Sequence, residues 1–198
     1  MRLYAADLAY LAPELTIVIT AVILSVIDLI MPGRLHRTVL GWLAMLGLAI
    51  SAIFSVRFIW RLNFAEGEQA LETVRLLHDS YRVDDFANLF KLLVLFGTIL
   101  VIFISIGSLR EEKIPHRGEY YYLLLPATLG AMIMASSGDL ITLFVGLELL
   151  SITSYIMVSM KKKHYASNEA AFKYVVTGSI ASAFILYGMS FLYGMTGS

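Results

Sequence analysis

Cysteine is absent from this 198-residue sequence. Iron–sulfur ligation, thiolate chemistry and disulfide bonding are therefore excluded for these residues. Histidine is scarce: His36, His78, His116 and His164 lie far apart, in expected loops or at helix ends. That gives no basis for a bis-histidine haem inside a membrane. If the protein takes part in redox chemistry, the electrons travel elsewhere. Charge is scarce too. Only 15% of the residues are charged, against roughly a quarter in soluble domains. The 15 basic and 15 acidic residues cancel, which leaves no electrostatic case for a nucleic-acid partner. There is no phosphate loop and no nucleophile–base set, and neither Glu148 nor the histidines fall at metal-ligand spacing.

What is abundant is apolar sequence. Hydrophobic residues make up 59% of the chain and the mean hydropathy is +0.77. The charges cluster between long apolar runs, the pattern of an integral membrane protein in a lipid bilayer. The expected fold is all-α: a polytopic transmembrane helix bundle, one membrane domain over residues 1–198, with six spans at about 11–31, 38–60, 86–109, 120–136, 140–160 and 170–193. Arg2 ahead of an apolar run suggests a signal peptide, but Asp7 and Glu14 interrupt it and no small-x-small cleavage site follows, so the first helix is read as retained. Asp28 is expected to be a solvated acid at that helix's end, and Pro32-Gly33 stops it. Trp42 and Trp60 bracket the second helix as an aromatic belt, and Arg57 and Arg61 snorkel at its end.

Residues 63–84 form the longest polar segment. Its acids Glu66, Glu68, Glu72, Asp79 and Asp84 match no calcium-loop spacing and read as a solvated surface. A small hairpin is expected around His78-Asp79-Ser80. Asp84 or Asp85 is a good N-cap for the third helix. Lys91 lies about two turns inside that helix, and either snorkels outward or belongs to an internal polar path. Pro126 is expected to kink the fourth helix. Ser136-Ser137-Gly138-Asp139 is a tight turn that makes helices four and five antiparallel neighbours. Ser167 or Asn168, followed by Glu169, is the expected cap of the sixth helix.

Basic residues set the orientation. The loops after helices one, three and five hold Arg34 and Arg37, then Arg110, Lys113 and Arg117, then Lys161, Lys162 and Lys163. These loops are expected in the cytoplasm, with 63–84 extracytoplasmic and both termini of this segment outside.

The residues 140–160, at about 1.5 Å per residue, cross a hydrocarbon core of ~30 Å. Glu148 then sits about 3 Å from the midplane. A carboxylate there costs several kcal/mol unless it is neutral, paired or wet, so an intramembrane acid points to function. Ser151 and Tyr155 share its face, and hydroxyls continue from the acid toward the basic loop. On the sixth helix, Lys173 lies near the cytoplasmic interface with Thr177 one turn deeper. Gly178, Ala181, Ser182 and Ala183 keep that helix thin for close packing. Glu148 and Lys173 are offset by roughly 12 Å along the normal if both helices stand upright. An ammonium moving nearer or farther would let a buried acid hold or release a proton. Two readings follow: a proton relay through Glu148 and Lys173, with Lys91, Ser151, Tyr155 and Thr177 as a polar path, or a static pair that fixes helix packing.

Several motifs carry a resemblance that covers the whole chain. They are Gly138-Asp139-Leu140, Phe144-x-Gly146-x-Glu148-Leu149 with Ser151, and Glu169-Ala170-Ala171-Phe172-Lys173-Tyr174. Ala181-Ser182-Ala183-Phe184-x-x-Tyr187-Gly188-Met189 and Arg82-Val83-Asp84-Asp85-Phe86-Ala87 complete the set. Together they closely resemble subunit N of bacterial NADH-quinone oxidoreductase, complex I, within the broader group of antiporter-like subunits that includes Mrp-type antiporters. The resemblance implies a fold of about fourteen helices with two inverted repeats, each containing a broken helix. It implies a proton channel in the bacterial cell membrane, coupled by other subunits to NADH oxidation and quinone reduction. Glu148 matches the family's fifth-helix glutamate and Lys173 a lysine that opens the sixth helix. NADH, FMN, the iron–sulfur clusters and quinone belong to the wider complex, and the partners implied are its other membrane subunits. The family's lysines on helices seven, eight and twelve have no counterpart here, so the chain is expected to be the first six spans of a longer subunit. The alternatives are a subunit of an Mrp-type cation/proton antiporter, or a truncated, non-pumping piece.

Overall fold

The computed structural model describes residues 5–30, 38–64, 73–108 and 117–197. The basic loop residues Arg34, His36, Arg37, Arg110, Lys113 and His116, and the acids Glu66, Glu68 and Glu72, lie outside the described residues. The chain forms α1 (Ala5–Tyr10), α2 (Ala12–Ile30), α3 (Thr38–Asn63), β1 (Val74–Leu76), β2 (Tyr81–Val83), α4 (Asp85–Ser108), α5 (Arg117–Ala135), α6 (Leu140–Val158) and α7 (Tyr165–Thr196).

The first apolar run is divided between α1 and α2, with a turn at Leu11. Pro13 explains the division. It restricts Ala12, lacks an N–H, and is at home only in a helix's first turn. Among the described residues five helices, α2, α3, α4, α6 and α7, are long and apolar enough to cross a membrane. The sixth expected span, α5, has 19 residues but carries Glu119, three successive tyrosines and Pro126, which lower its apolar character. It remains one helix through Pro126 and packs against α2, α3, α4 and α6. The architecture is a polytopic all-α transmembrane bundle.

The bundle core joins Ile17 and Leu24 of α2 to Leu40, Ala44 and Leu48 of α3, Leu95 and Ile102 of α4, and Tyr121, Leu125 and Met132 of α5. Lipid tails are as apolar as leucine, so close packing rather than water exclusion holds such helices together. Small residues permit it. A Cβ on Gly47 would overlap Thr20 of α2. At the α5–α6 crossing a Cβ on Gly130 would come within 2.7 Å of the Gly146 carbonyl oxygen and the Leu150 nitrogen. The remaining surface is largely leucine, isoleucine, valine and phenylalanine, more than half exposed at Ile19, Leu93, Phe103 and Phe184, as lipid-facing residues are. α7 lies against α6 and has only Ala171 buried.

The expected hairpin is present. β1 and β2 pair antiparallel, Val74 opposite Val83 and Leu76 opposite Tyr81. Leu77, His78 and Asp79 all have positive φ, 54°, 58° and 70°, unusual for residues other than glycine. The alternation buries Leu76, Tyr81 and Val83 against Phe58, with Tyr10, Leu11 and Val74 around them. The hairpin therefore caps the end of the bundle where α2 begins, α3 ends and α4 begins. It also grips the α5–α6 turn: Arg82 N–H donates to the Ser136 carbonyl at 2.8 Å, and Gly138 N–H to the Ser80 carbonyl at 2.8 Å. Gly138 is required there, because any Cβ would run into the Asp79 carbonyl.

Two local expectations change. Asp28 is not a freely solvated acid: it packs on α5, where a Cβ on Gly118 would strike its carboxylate, and its Oδ1 is buried. Neither Ser167 nor Asn168 caps the last helix. α7 starts earlier, behind His164, with no side-chain cap. Ser167 Oγ and Asn168 Nδ2 instead donate back to the carbonyls of Val158 and Lys162, at 2.8 and 3.1 Å, tying the basic loop to both helices.

Candidate functional site

α6 is launched from the α5–α6 turn by Asp139. Its Oδ1 accepts from Thr142 N–H at 2.6 Å and its Oδ2 from Ser80 Oγ at 2.5 Å. An N-cap carboxylate satisfies orphan donors and favours the helix dipole. Burial alone raises the Asp139 pKa, but the hydrogen bonds from Ser80 and Thr142 prevail and hold it below its ordinary 3.8. The helix so anchored carries Glu148 between the Gly146 crossing and a run of hydroxyls.

Glu148 is half-buried. Its Oε1 is buried with no hydrogen-bond partner among the described residues. A buried, unmatched carboxylate oxygen is an uncommon and unfavourable arrangement. Glu148 and Lys173 are not brought together. Lys173 donates to Glu169 Oε1 at 2.6 Å, one turn earlier on α7, and both side chains are well exposed. The physical reason is local: an acid four residues before a lysine on a helix is a ready-made pair, nearer than an acid on another helix.

The hydroxyl run behaves unevenly. Ser154 Oγ and Thr153 Oγ1 bond back to carbonyls of their own helix, at 2.8 and 2.7 Å. Ser151 is half-buried and Thr177 is exposed on α7. Tyr155 bridges the two helices. Its hydroxyl occupies the space a Cβ on Gly178 would fill, and its ring meets Tyr174 edge-on at 4.8 Å.

Lys91 does not snorkel. It is fully buried, and its ammonium lies 2.8 Å from Glu14 Oε1 of α2 while donating to the Tyr81 hydroxyl at 2.8 Å. The same ammonium stands 5.0 Å from the centre of the Tyr81 ring, a cation–π distance. Burial, and then the Glu14 carboxylate, push the Tyr81 hydroxyl well above its ordinary 10.0, so it stays a neutral donor and acceptor. Along α4 the same face continues as Thr98, bonded to Thr128 of α5 at 2.9 Å, and Ser105, bonded to Tyr120 at 2.9 Å. Glu14 is the member of this set that sequence reasoning missed as a site residue. Its only signal was an acid following Pro13 in an apolar helix. Among the described residues no three histidines or carboxylates gather as metal ligands would.

Comparison with known proteins places the chain among membrane subunits of one kind. The family described as NADH:quinone oxidoreductase/Mrp antiporter, transmembrane region, matches residues 137–198, the segment from the α5–α6 turn onward. NADH-quinone oxidoreductase subunit N of Paenibacillus sp. (strain JDR-2) is 52% identical over 97% of this chain and 38% of its own length. The subunit N of Brevibacillus brevis is 50% identical over 99% of this chain and 37% of its own. Among solved structures, respiratory complex I from Thermus thermophilus with bound aureothin matches with a TM-score of 0.69 and 30% identity, over 94% of this chain and 37% of the matched one. The archaeal membrane-bound sulfane sulfur reductase shares the fold, with a TM-score of 0.76 at 22% identity. The chain thus spans little more than a third of the length of the relatives it matches. In sequence and in fold, it closely matches the N-terminal portion of NADH-quinone oxidoreductase subunit N.

Proposed function

We propose that this chain is part of a proton-translocating membrane subunit of a bacterial NADH-quinone oxidoreductase, with Glu148 as the central proton carrier. The observation that carries the reading is the buried, unmatched Glu148 oxygen on a membrane-crossing helix. The carboxylate takes up a proton when no cation is near and releases it when one approaches. Lys173 serves as the cation at the basic end, exchanging Glu169 for deeper partners. Lys91, Ser151, Tyr155 and Thr177 supply the remaining polar contacts of the path. Lys161, Lys162 and Lys163 are exposed and face the cytoplasm, and the hairpin faces outward, as positive-inside bias requires. The protein sits in the bacterial cell membrane beside other membrane subunits of the complex. Those other subunits hold NADH, FMN, the iron–sulfur clusters and quinone, and this chain supplies no thiolate for them.

The test is Glu148→Gln in the full-length subunit within the intact complex. Assembly and NADH oxidation should be measured beside proton pumping, and pumping should fall by about a hundredfold. Normal pumping by that variant overturns the reading. The family description also covers Mrp antiporters. Sodium-driven proton movement without co-purifying dehydrogenase subunits would favour that second reading.

A further inference from the structure

We propose that Glu14 and Lys91, roofed by Tyr81, form a second proton-exchange site, at the hairpin end of the bundle. The proposal rests on the reading of this chain as part of a proton-translocating subunit, and it concerns residues on α2, α4 and β2 rather than Glu148.

The first observation is burial. The side chains of Lys91 and Glu14 are 1% and 8% exposed, and Tyr81 above them is 4% exposed. A buried ion pair that only holds helices together gains little over apolar packing unless further hydrogen bonds complete it. Here they complete it only in part: the Tyr81 hydroxyl accepts from Lys91 at 2.8 Å and interacts with Glu14, while Asn88 Oδ1, one turn before Lys91 on the same face of α4, is buried and unmatched. Ser51 on α3 gives its hydroxyl to the Pro13 carbonyl at 2.9 Å, and Ser55 gives its own to the Ser51 carbonyl. The acceptors facing Lys91 therefore have spare capacity in a region where spare capacity is unfavourable. Such clusters of orphan acceptors are where buried water binds.

The second observation is the 2.8 Å separation of Lys91 Nζ from Glu14 Oε1. It is a distance for proton transfer. Moving one proton from the ammonium to the carboxylate turns a charged pair into a neutral amine and a neutral acid, with no change in net charge. The acid then gives its proton to water on the hairpin side, and the amine takes one from the bundle interior along the α4 face that carries Thr98. One proton enters, one leaves, and both groups return to their starting state. The titratable groups at the site are Glu14 from α2, Lys91 from α4 and Tyr81 from β2. Arg82 on the same hairpin turns instead to the Gly138 carbonyl, at 3.4 Å. Tyr81 stays protonated, so its hydroxyl orients the ammonium without competing for the proton.

The experiment uses the full-length subunit in the intact complex. Glu14→Gln leaves a buried lysine unpaired, and part of its effect will be structural. The deciding variant is therefore the double change Glu14→Gln with Lys91→Met, which removes both charges. A pair that only fixes packing predicts that this double variant assembles and pumps as the parent does, and that result overturns the proposal. An exchange site predicts assembly near the parent level with pumping reduced about tenfold or more. Should the double variant not assemble, Tyr81→Phe is read instead, because it keeps the ion pair. A pumping-versus-pH profile displaced from the parent's supports the site, and an unchanged profile overturns it. Glu148→Gln runs alongside. If it pumps normally the broader reading fails; if it is impaired while the double variant pumps normally, the present proposal fails together with the place of Lys91 in the path, and the role of Glu148 stands.

Discussion

Replacing Gly130 by alanine tests whether helix packing sets the geometry of the carboxylate on α6. The added methyl would stand 2.7 Å from the Gly146 oxygen and the Leu150 nitrogen and 3.2 Å from the Leu150 Cα. All three are backbone atoms, so no side chain can rotate out of the way. Ordinary carbon contacts begin near 3.5 Å, and α5 must therefore withdraw from α6 by about 0.8 Å. Overpacking of this kind destabilises by about 1–3 kcal/mol. Gly146 precedes Glu148 by two residues, so the displacement falls on the carboxylate itself. Misplacement of a reacting group by about 1 Å can reduce a rate a hundredfold. The expected result is a lower thermal midpoint for the full-length subunit in detergent, together with proton pumping reduced well beyond the loss in assembled complex. Pumping that follows the amount of assembled complex, with no additional loss, would refute the link between the crossing and Glu148. An unchanged midpoint would refute the packing argument.

The hairpin and the α6 cap give two further tests. Gly138→Ala drives a methyl into the Asp79 carbonyl, so the hairpin should lift from the α5–α6 turn and become accessible to protease in membranes; protection equal to the parent's would contradict the close approach. Asp139→Ala should destabilise α6 by about 1 kcal/mol by removing the cap, read as faster amide exchange over its first turn. The folded Asp139 pKa lies below 3.8, so its contribution is present above that pH and is lost as pH falls through the lower folded value. Asp139→Asn keeps the cap and should abolish that acid-dependent loosening.

The hairpin was legible because Val74, Leu76, Tyr81 and Val83 alternate around a polar turn, and period-two alternation is the mark of a strand with one face buried. Asp84 was legible as a cap, and it accepts from Ala87 N–H at 2.7 Å. The tight turn at Ser136 to Asp139 was legible because so few residues leave two apolar helices no choice but to lie side by side. The start of α7 was not. Ser167 and Asn168 have the chemistry of caps, but the carbonyls left free at the end of α6 and in the basic loop compete for the same side chains. Lys173 was paired across helices by its chemistry, while the nearer partner, Glu169, stood four residues away on the same helix. Glu14 was hidden for a different reason. An acid in a helix's first turn is the common dipole-favoured placement, and nothing local distinguishes it from one bound to a lysine on a distant helix. Only the tertiary fold brings α2 and α4 together.

The ion pair beneath the hairpin also constrains how the protein is made. Glu14 enters the bilayer with α2 before Lys91 has been synthesised, and near the end of its helix it can remain at the headgroups until then. Lys91 is attached about two turns inside its helix, where an unpaired ammonium is unfavourable. The later helix, α4, is therefore drawn toward the earlier one, α2, by the neutralisation of one charge by the other. The hairpin lies between α3 and α4 in the chain, so Tyr81 emerges before Lys91 and closes over the pair once it forms. The order of residues along the chain is thus also an order of assembly.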